Sequence, residues 1–283
     1  MEILNTANLP EYVCNMSHQY KPDPTHISTT DLTAPTLMRT LKIEHWDKLT
    51  NDVKNKFKMF HGIAWDEFCK KHCRWALTRI RIEIPIEGFL LICKPDYYHV
   101  LDYILADFKE KSIWNLKNFD VNNVFNKENI AQVNVYDWAM GWKTDLRIDK
   151  LQLHLYGRDW RPGEKLRYGH EYPDIAFDVV DIPRWTKQEQ TDYIDAQIKQ
   201  HIKDPYRECT DKEKGKKNDV WAVKKKGNKT AQGGKLCNSE AEAKQWIQQH
   251  PDKQWEIEFR KGEYSRCQKY CNVSSVCPYM KGK

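Results

Sequence analysis

The sequence predicts an α/β fold of the α+β kind, with a mixed sheet flanked by helices and a small cysteine-rich module at the end. Apolar residues recur at helical spacing between Leu37 and Cys73 and then alternate strictly from Arg79 to Glu87. Segments typical of strands and helices then follow in turn as far as Ile202. After Pro205 the composition changes to lysine, glycine and cysteine, so we expect a domain boundary there.

The opening residues 1–27 are polar and contain three prolines, which predicts an irregular N-terminal arm. Ser28 to Asp31 supplies residues that cap a helix, and two or three helices are expected before Cys73. Pro85 indicates that the alternating strand lies at a sheet edge. Glu87-Gly88 predicts a turn, and Phe89 to Ile92 the returning strand.

The rest of the core is predicted from shorter patterns. Short strands are expected at 103–106 and 175–180, a long strand at 146–156, and helices at 130–142 and 185–202. These elements complete a core over 28–205. In the module over 206–283, Trp221 begins a possible hairpin and Ser239 caps a short helix.

The composition is that of an ordinary globular protein: 283 residues, 40% hydrophobic and 30% charged. No apolar run is long enough to cross a bilayer, and the N-terminus lacks a signal-peptide pattern, so we expect a cytoplasmic protein without membrane contact. The net charge of +6 is concentrated between Lys212 and Lys235. That stretch could follow a phosphate backbone or be a solvated basic loop.

Two carboxylates and a lysine are candidates for chemistry at one sheet edge. Asp96 is expected at the end of one strand, and Asp107 and Lys109 at the end of the next. Residues two apart on a strand share a face, and pairing of the strands would bring Asp96 to them. Carboxylates can hold Mg²⁺ or Mn²⁺, and a lysine can assist the attacking water in phosphodiester hydrolysis.

The order of these residues resembles the core of the PD-(D/E)XK nuclease superfamily, of the RecB-like type. Lys94-Pro95-Asp96 followed by Asp107-Phe108-Lys109 resembles its central motif, and Gln132 with Tyr136 resembles its Q-x-x-x-Y motif. Gln132 and Tyr136 share a helix face. In this family they lie beside the metal and contact DNA or position the lysine.

The resemblance continues through Arg158-Asp159-Trp160 and Ile182 to Trp185, which are similar to segments of phage-encoded members. It covers most of the chain from Ser28 onward. It implies a restriction-endonuclease-like fold and a metal-dependent DNA nuclease, most simply an exonuclease, located in the host cytoplasm if phage-encoded. Its expected substrates are DNA ends or single strands. A helicase or recombination protein would be a partner, because the chain has no Walker-type motif. No oligomeric state follows.

One position departs from the family pattern. RecB-like enzymes carry a histidine metal ligand in a G-x-x-x-H context, where this chain has Gly62 followed by Asp66. Aspartate can also bind Mg²⁺ or Mn²⁺, and it could equally be a solvated helix residue. A catalytically weak nucleic-acid-binding or complex-assembly subunit of the same fold is therefore the alternative function.

Cys267, Cys271 and Cys277 form a compact C-x3-C-x5-C-P run, and Cys209 is a candidate fourth ligand. Thiolates at such spacing can hold a [4Fe–4S] cluster or tetrahedral zinc. The pattern resembles the iron–sulfur motif of RecB-like and CRISPR-associated exonucleases, which implies a cluster with a structural role. Cys237 could replace Cys209, and zinc would make this a zinc-stapled DNA-binding protein.

Overall fold

The structure is a computed structural model that describes residues 1–16, 19–117, 127–228, 231, 235–251 and 253–280. The chain divides into two compact units, Met1–Arg207 and Glu208–Lys283. In the part of the chain described, no helix combines the length and the apolar character needed to cross a membrane.

The first unit contains ten strands and eight helices among its described residues. The strands are β1 (Glu2–Leu4), β2 (His26–Ser28), β3 (Thr50–Asp52), β4 (Ala76–Leu77), β5 (Ile82–Ile86), β6 (Phe89–Cys93), β7 (Tyr97–His99), β8 (Ile104–Lys111), β9 (Lys150–Gly157) and β10 (Phe177–Asp181). The helices are α1 (Glu11–Asn15), α2 (Thr29–Thr33), α3 (Thr36–Glu44), α4 (Phe57–His72), α5 (Ile113–Lys117), α6 (Lys127–Lys143), α7 (Pro162–Tyr168) and α8 (Lys187–Lys203).

The central sheet has five strands in the order β10-β9-β8-β7-β4. The β8–β9 pair is parallel, whereas the other pairs are antiparallel, so the sheet is mixed as the sequence predicts. β7 and β8 form a hairpin in which Tyr97 pairs with Ala106. This hairpin brings the start of β7 beside the middle of β8, where the predicted site residues lie.

A second sheet of the first unit has the order β2-β6-β5. β5 and β6 join through Glu87 and Gly88, both with positive φ, and Pro85 lies on the edge strand as expected. The polar segment before residue 28, which the sequence predicts to be an irregular arm, contributes β2 to this sheet and pairs β1 with β3. Pairing of three-residue strands through backbone groups needs no apolar pattern, so their sequence carries little signal.

Helix α6 is buried along most of its length, between both of these sheets on the one hand and α2 and α8 on the other. Its polar residues have partners, as buried polar groups require. Asn134 bonds the backbone of Pro183 and Trp185, at 3.1 and 2.8 Å. Asp137 receives two hydrogen bonds from the Arg184 guanidinium, at 2.7 and 2.8 Å. The segment that leads into α8 is therefore bound to α6.

The second unit contains β11 (Val220–Lys225), β12 (Lys235–Cys237), α9 (Glu240–Gln249), β13 (Trp255–Arg260) and α10 (Ser265–Lys269). Its sheet has the order β12-β11-β13. The Ser239 hydroxyl accepts from the backbone N–H of Glu242, which confirms the predicted cap. The expected hairpin is present as β11 and β12, and β13 adds a strand that the sequence pattern did not indicate.

His201 on α8 gives the first unit a measurable pH dependence. The residue is buried, and burial together with the nearby Arg39 charge lowers the pKa of His201 to about 4. An unfolded chain binds this proton near pH 6.5, as a rough reference. Between these values the unfolded state holds more protons, so the free energy of unfolding rises with pH. Because of His201, we expect the free energy of unfolding to fall by about 2 kcal/mol from pH 7 to pH 5.

The measurement is urea-induced unfolding of the wild type and His201→Gln at several pH values. The His201→Gln variant should lose this part of the pH dependence, because it has no titrating ring. The matched control is His170→Gln at an exposed position, which should keep it. Equal pH profiles for the wild type and His201→Gln would contradict the assignment.

Candidate active site

Asp96 and Asp107 come together through the β7–β8 hairpin. The backbone N–H of Phe108 donates to Asp96 Oδ2 at 3.0 Å, so Asp96 is tied to the strand that carries Asp107. We expected Asp96 to end a strand that pairs with the strand of Asp107, and this was wrong. Asp96 directly precedes β7, and β6, the strand before Asp96, belongs to the other sheet. The pairing partner of β8 was missed because β7 is only three residues long.

Asp107 and Lys109 lie on the same face of β8 and are joined by Gln132 of α6. Lys109 Nζ lies 2.5 Å from Asp107 Oδ2 and donates to Gln132 Oε1 at 3.1 Å. Gln132 Nε2 donates to Asp107 Oδ1 at 3.2 Å and to the Tyr136 hydroxyl at 2.6 Å. Asp107 is only 1% exposed, whereas the Lys109 side chain is 24% exposed. The cluster thus has a buried end and a solvent-accessible ammonium.

Asp66 on α4 joins the cluster through Lys70, which the sequence analysis did not single out. Lys70 Nζ lies 2.7 Å from Asp66 Oδ2 and 3.3 Å from Asp96 Oδ1. Because the two residues are one turn apart, Asp66 and Lys70 project from one face of the helix. The structure therefore links all three predicted carboxylates: Asp96 bonds the backbone next to Asp107, and Lys70 contacts both Asp96 and Asp66.

The surroundings shift the pKa values of Asp96, Asp66 and Lys70. Burial raises the pKa of Asp96 to about 6, and the neighbouring Asp107 carboxylate adds to the rise. Burial also raises the pKa of Asp66, although Lys70 opposes this. Burial alone would lower the pKa of Lys70, but the Asp66 and Asp96 carboxylates outweigh it and the net shift is upward. Carboxylates that lie close together and are partly shielded from solvent favour the binding of a further cation.

The donor chemistry fits a hard divalent cation. Oδ1 of Asp66 is a buried oxygen that accepts no hydrogen bond from the described residues, and Oδ2 of Asp107 contacts the Lys109 ammonium. Oxygen donors of this kind suit Mg²⁺ or Mn²⁺. In the arrangement described, with lysines against the carboxylates, no three Asp, Glu, His or Cys side chains of the described residues converge tightly enough to hold a metal ion. Binding would therefore require Lys70 to move from between Asp66 and Asp96.

Tyr136 and the histidines near Asp66 have other surroundings. Burial, helped by the Asp107 charge, raises the pKa of Tyr136, so its hydroxyl stays protonated. His61 pairs through Nδ1 with Glu110 Oε2 at 2.5 Å, on the opposite face of β8 from Asp107. The Arg158 guanidinium contacts the same carboxylate at 3.2 Å. Arg158 of the R-D-W segment is therefore a partner of Glu110.

The candidate cysteine ligands of the second unit interact electrostatically, but among the described residues no three of them meet closely enough to hold a metal ion. Burial raises the pKa of Cys209 to about 12, and the charges of Glu213, Cys267, Cys271 and Cys277 add to the rise. Cys237 instead packs in an apolar cluster with Val223 and Ala243. None of the nine cysteines forms a disulfide.

No family model and no curated protein matches the chain. Among solved structures, a protein designated SSO0001 is similar at TM-score 0.40 and 12% identity, over 66% of this chain and 79% of that one. A phage-related exonuclease from Haemophilus somnus 129PT is similar at TM-score 0.36 and 12% identity, over 68% of this chain and 95% of that one.

The bridge made by Gln132 predicts a stability effect. Gln132→Met keeps the side-chain size but leaves Asp107, Lys109 and Tyr136 without their shared partner. We expect the free energy of unfolding to fall by about 1–3 kcal/mol, the cost of unsatisfied buried polar groups. Urea titration measures it, with Gln188→Met on an exposed part of α8 as the matched control, expected within about 0.5 kcal/mol of wild type. An equal change in both variants would contradict a special role for Gln132.

Proposed function

We propose that this chain is a metal-dependent DNA nuclease of the PD-(D/E)XK superfamily, RecB-like in type and most simply an exonuclease. The observation that carries the proposal is that one side chain, Gln132, bonds Asp107 and Lys109 at once, beside Asp96. The local periodicity of β8 or of α6 alone would not bring Gln132 to Asp107 and Lys109. Phosphodiester hydrolysis requires these groups to lie together: carboxylates that hold a cation, and a positively charged group near the scissile bond.

Asp96 and Asp107 are the residues that would hold Mg²⁺ or Mn²⁺, with Asp66 as a further carboxylate in place of the family's histidine. When bound, the cation offsets negative charge on the phosphate oxygens and lowers the pKa of water. Hydrogen bonding from Phe108 fixes one oxygen of Asp96, and Gln132 fixes one oxygen of Asp107. The remaining oxygens, Asp96 Oδ1 and Asp107 Oδ2, contact the ammonium groups of Lys70 and Lys109 and would exchange those contacts for the cation.

Lys109 acts on the attacking water. In hydrolysis the water oxygen forms a bond to phosphorus while the bond from phosphorus to the leaving nucleoside oxygen breaks. The water gives one proton to solvent, and the leaving oxygen takes one proton from solvent. The partly exposed Lys109 ammonium orients that water and stabilises the charge that develops on the phosphoryl oxygens. Gln132 and Asp107 hold the ammonium in place, and Tyr136 in turn holds Gln132.

The proposed substrate is DNA at its ends or in single strands, with a helicase or recombination protein as a possible source of unwound strand. The positive net charge of the chain suits a polyanion, and the lysines between Lys212 and Lys235 could contact its backbone. Five residues of that stretch, 229–230 and 232–234, lie outside the described part of the chain.

A second function is favoured by one observation. Lys70 already lies between Asp66 and Asp96, where it balances their charge. A lysine that is not displaced would leave a nucleic-acid-binding or complex-assembly subunit with weak catalysis. Nuclease assays of the same variants separate the two functions.

We expect Asp107→Asn and Lys109→Met each to lower the rate of DNA hydrolysis by about 100-fold or more, because each loses charge that the reaction needs. The measurement is digestion of end-labelled single-stranded and double-stranded DNA with Mg²⁺ or Mn²⁺, and with EDTA as the metal-free condition.

The matched controls are Asp178→Asn and Lys150→Met, which remove the same charges from exposed positions on β10 and β9. Both should digest DNA at the wild-type rate. If the wild type and all four variants behave alike in every metal, the chain is not a nuclease of this type, and the binding-subunit function stands.

We also propose that Cys209, Cys267, Cys271 and Cys277 hold a [4Fe–4S] cluster, with Zn²⁺ as the alternative. The C-x3-C-x5-C-P spacing of the last three cysteines supports the set, and the apolar packing of Cys237 argues against Cys237 as the fourth ligand. The role would be structural. Ligation closes the long loop between Cys209 and Cys267, and the binding free energy adds to folding stability.

Anaerobic purification should give a brown protein with about four iron atoms per chain and absorbance near roughly 400 nm. Cys209→Ser should lose most of the metal, whereas Cys237→Ala should keep it. A colourless protein with about one zinc per chain would identify the alternative metal. Retention of metal by Cys209→Ser together with its loss from Cys237→Ala would contradict the ligand set.

A further inference from the structure

A groove on α4 lies directly beside the carboxylate cluster. Its volume is about 590 Å³, and it is lined by Ala64, Glu67, Phe68, Lys70, Lys71, Thr78 and Arg79. Lys70 is the residue that also contacts Asp66 and Asp96. The groove therefore opens next to the proposed active site, and its size is within the range of about 300–1,000 Å³ of small-ligand sites.

The lining combines one aromatic ring with an excess of positive charge. Phe68 is 55% exposed, although Trp65 and His72 flank its ring at 6.0 and 4.4 Å. Lys71 and Arg79 share the lining with one acid, Glu67, whereas the third cation, Lys70, is paired with Asp66 and Asp96. An apolar face among cations matches a nucleotide, which has a flat base and an anionic phosphate.

Arg79 supports this interpretation through its weak ion pair. Its guanidinium pairs with Glu67 at 2.5 Å, and both side chains are more than half exposed. An exposed ion pair of this kind is weak and readily exchanged, so a phosphate can replace Glu67 as the partner of Arg79.

We propose that this groove binds one unpaired nucleotide of a DNA strand, with its base against Phe68 and its phosphate at Lys71 and Arg79. The proposal rests on the nuclease function proposed above and makes single-stranded DNA, or a frayed end, the substrate class. A paired base in a duplex has both faces covered by its neighbours in the stack, so it cannot take this place without being extruded.

The test is binding in EDTA, where no hydrolysis occurs, measured by fluorescence anisotropy with two labelled probes. One probe is a single-stranded DNA oligonucleotide, and the other is an abasic strand of equal length with the same phosphates. We expect Phe68→Leu to raise Kd for the oligonucleotide about tenfold, the effect of losing one stacked base, and to leave Kd for the abasic strand unchanged. Phe68→Trp should bind like the wild type. Lys71→Gln and Arg79→Gln should raise Kd for both probes by the same factor.

The matched control is Phe57→Leu, which removes a similarly exposed ring, 52% exposed, from the start of the same helix and outside the groove. It should bind both probes as the wild type does. A blunt duplex should bind the wild type and Phe68→Leu equally. The proposal is overturned if Phe68→Leu keeps wild-type affinity for the oligonucleotide, or if it weakens both single-stranded probes to the same extent.

Failure here and failure of the nuclease function are distinguishable. A protein that digests DNA in an Asp107-dependent way but is indifferent to Phe68→Leu refutes the groove alone. A protein that shows the base-dependent binding but never digests DNA refutes the nuclease function and leaves the nucleotide site in place.

Discussion

The first unit depends on how it satisfies a buried carboxylate. Asp107 lies in the middle of the sheet at 1% exposure, where an unpaired charge would cost several kcal/mol, on the order of the penalty for a buried ion. Its partners come from its own strand, as Lys109, and from α6, as Gln132. This pairing sets the rotation of α6 against β8, so the polar face of an otherwise buried helix is turned toward the cluster.

The same requirement extends along α6. Asp137 follows Tyr136 directly and is paired with Arg184, which precedes α8, while Asn134 bonds the backbone around that arginine. These bonds fasten the entry of α8 to α6. The segments at Ile182 to Trp185 and at Gln132 to Tyr136 are therefore one connected structure, in which the first positions the second.

Helix α4 links the acidic cluster to the proposed nucleotide groove. Asp66 and Lys70 face Asp96, while Phe68 and Lys71 line the groove, and Lys70 belongs to both. A cation or phosphate that draws Lys70 away from the carboxylates would change both sites together. In the second unit the apolar cluster around Val223 is small, which leaves room for ligation by the cysteines to add stability.

The sequence determined those features that depend on local periodicity. Alternation placed Asp107 and Lys109 on one strand face, and the helical repeat placed Gln132 beside Tyr136, because side-chain direction follows the backbone period. Mixed α/β architecture and the edge position of Pro85 followed in the same way. Alternation also predicted strand from Arg79, whereas β5 begins at Ile82, since the positive φ of Arg79 breaks the strand there.

Only the tertiary structure decided which distant segments meet. Three contacts join residues far apart in the chain: the pairing of Asp96 with β8 through the short β7, the placement of Lys70 between two carboxylates, and the packing of Cys237 against Val223. Such contacts are fixed by non-local pairing and by the burial of whole elements. The spacing of residues within one segment carries no record of them.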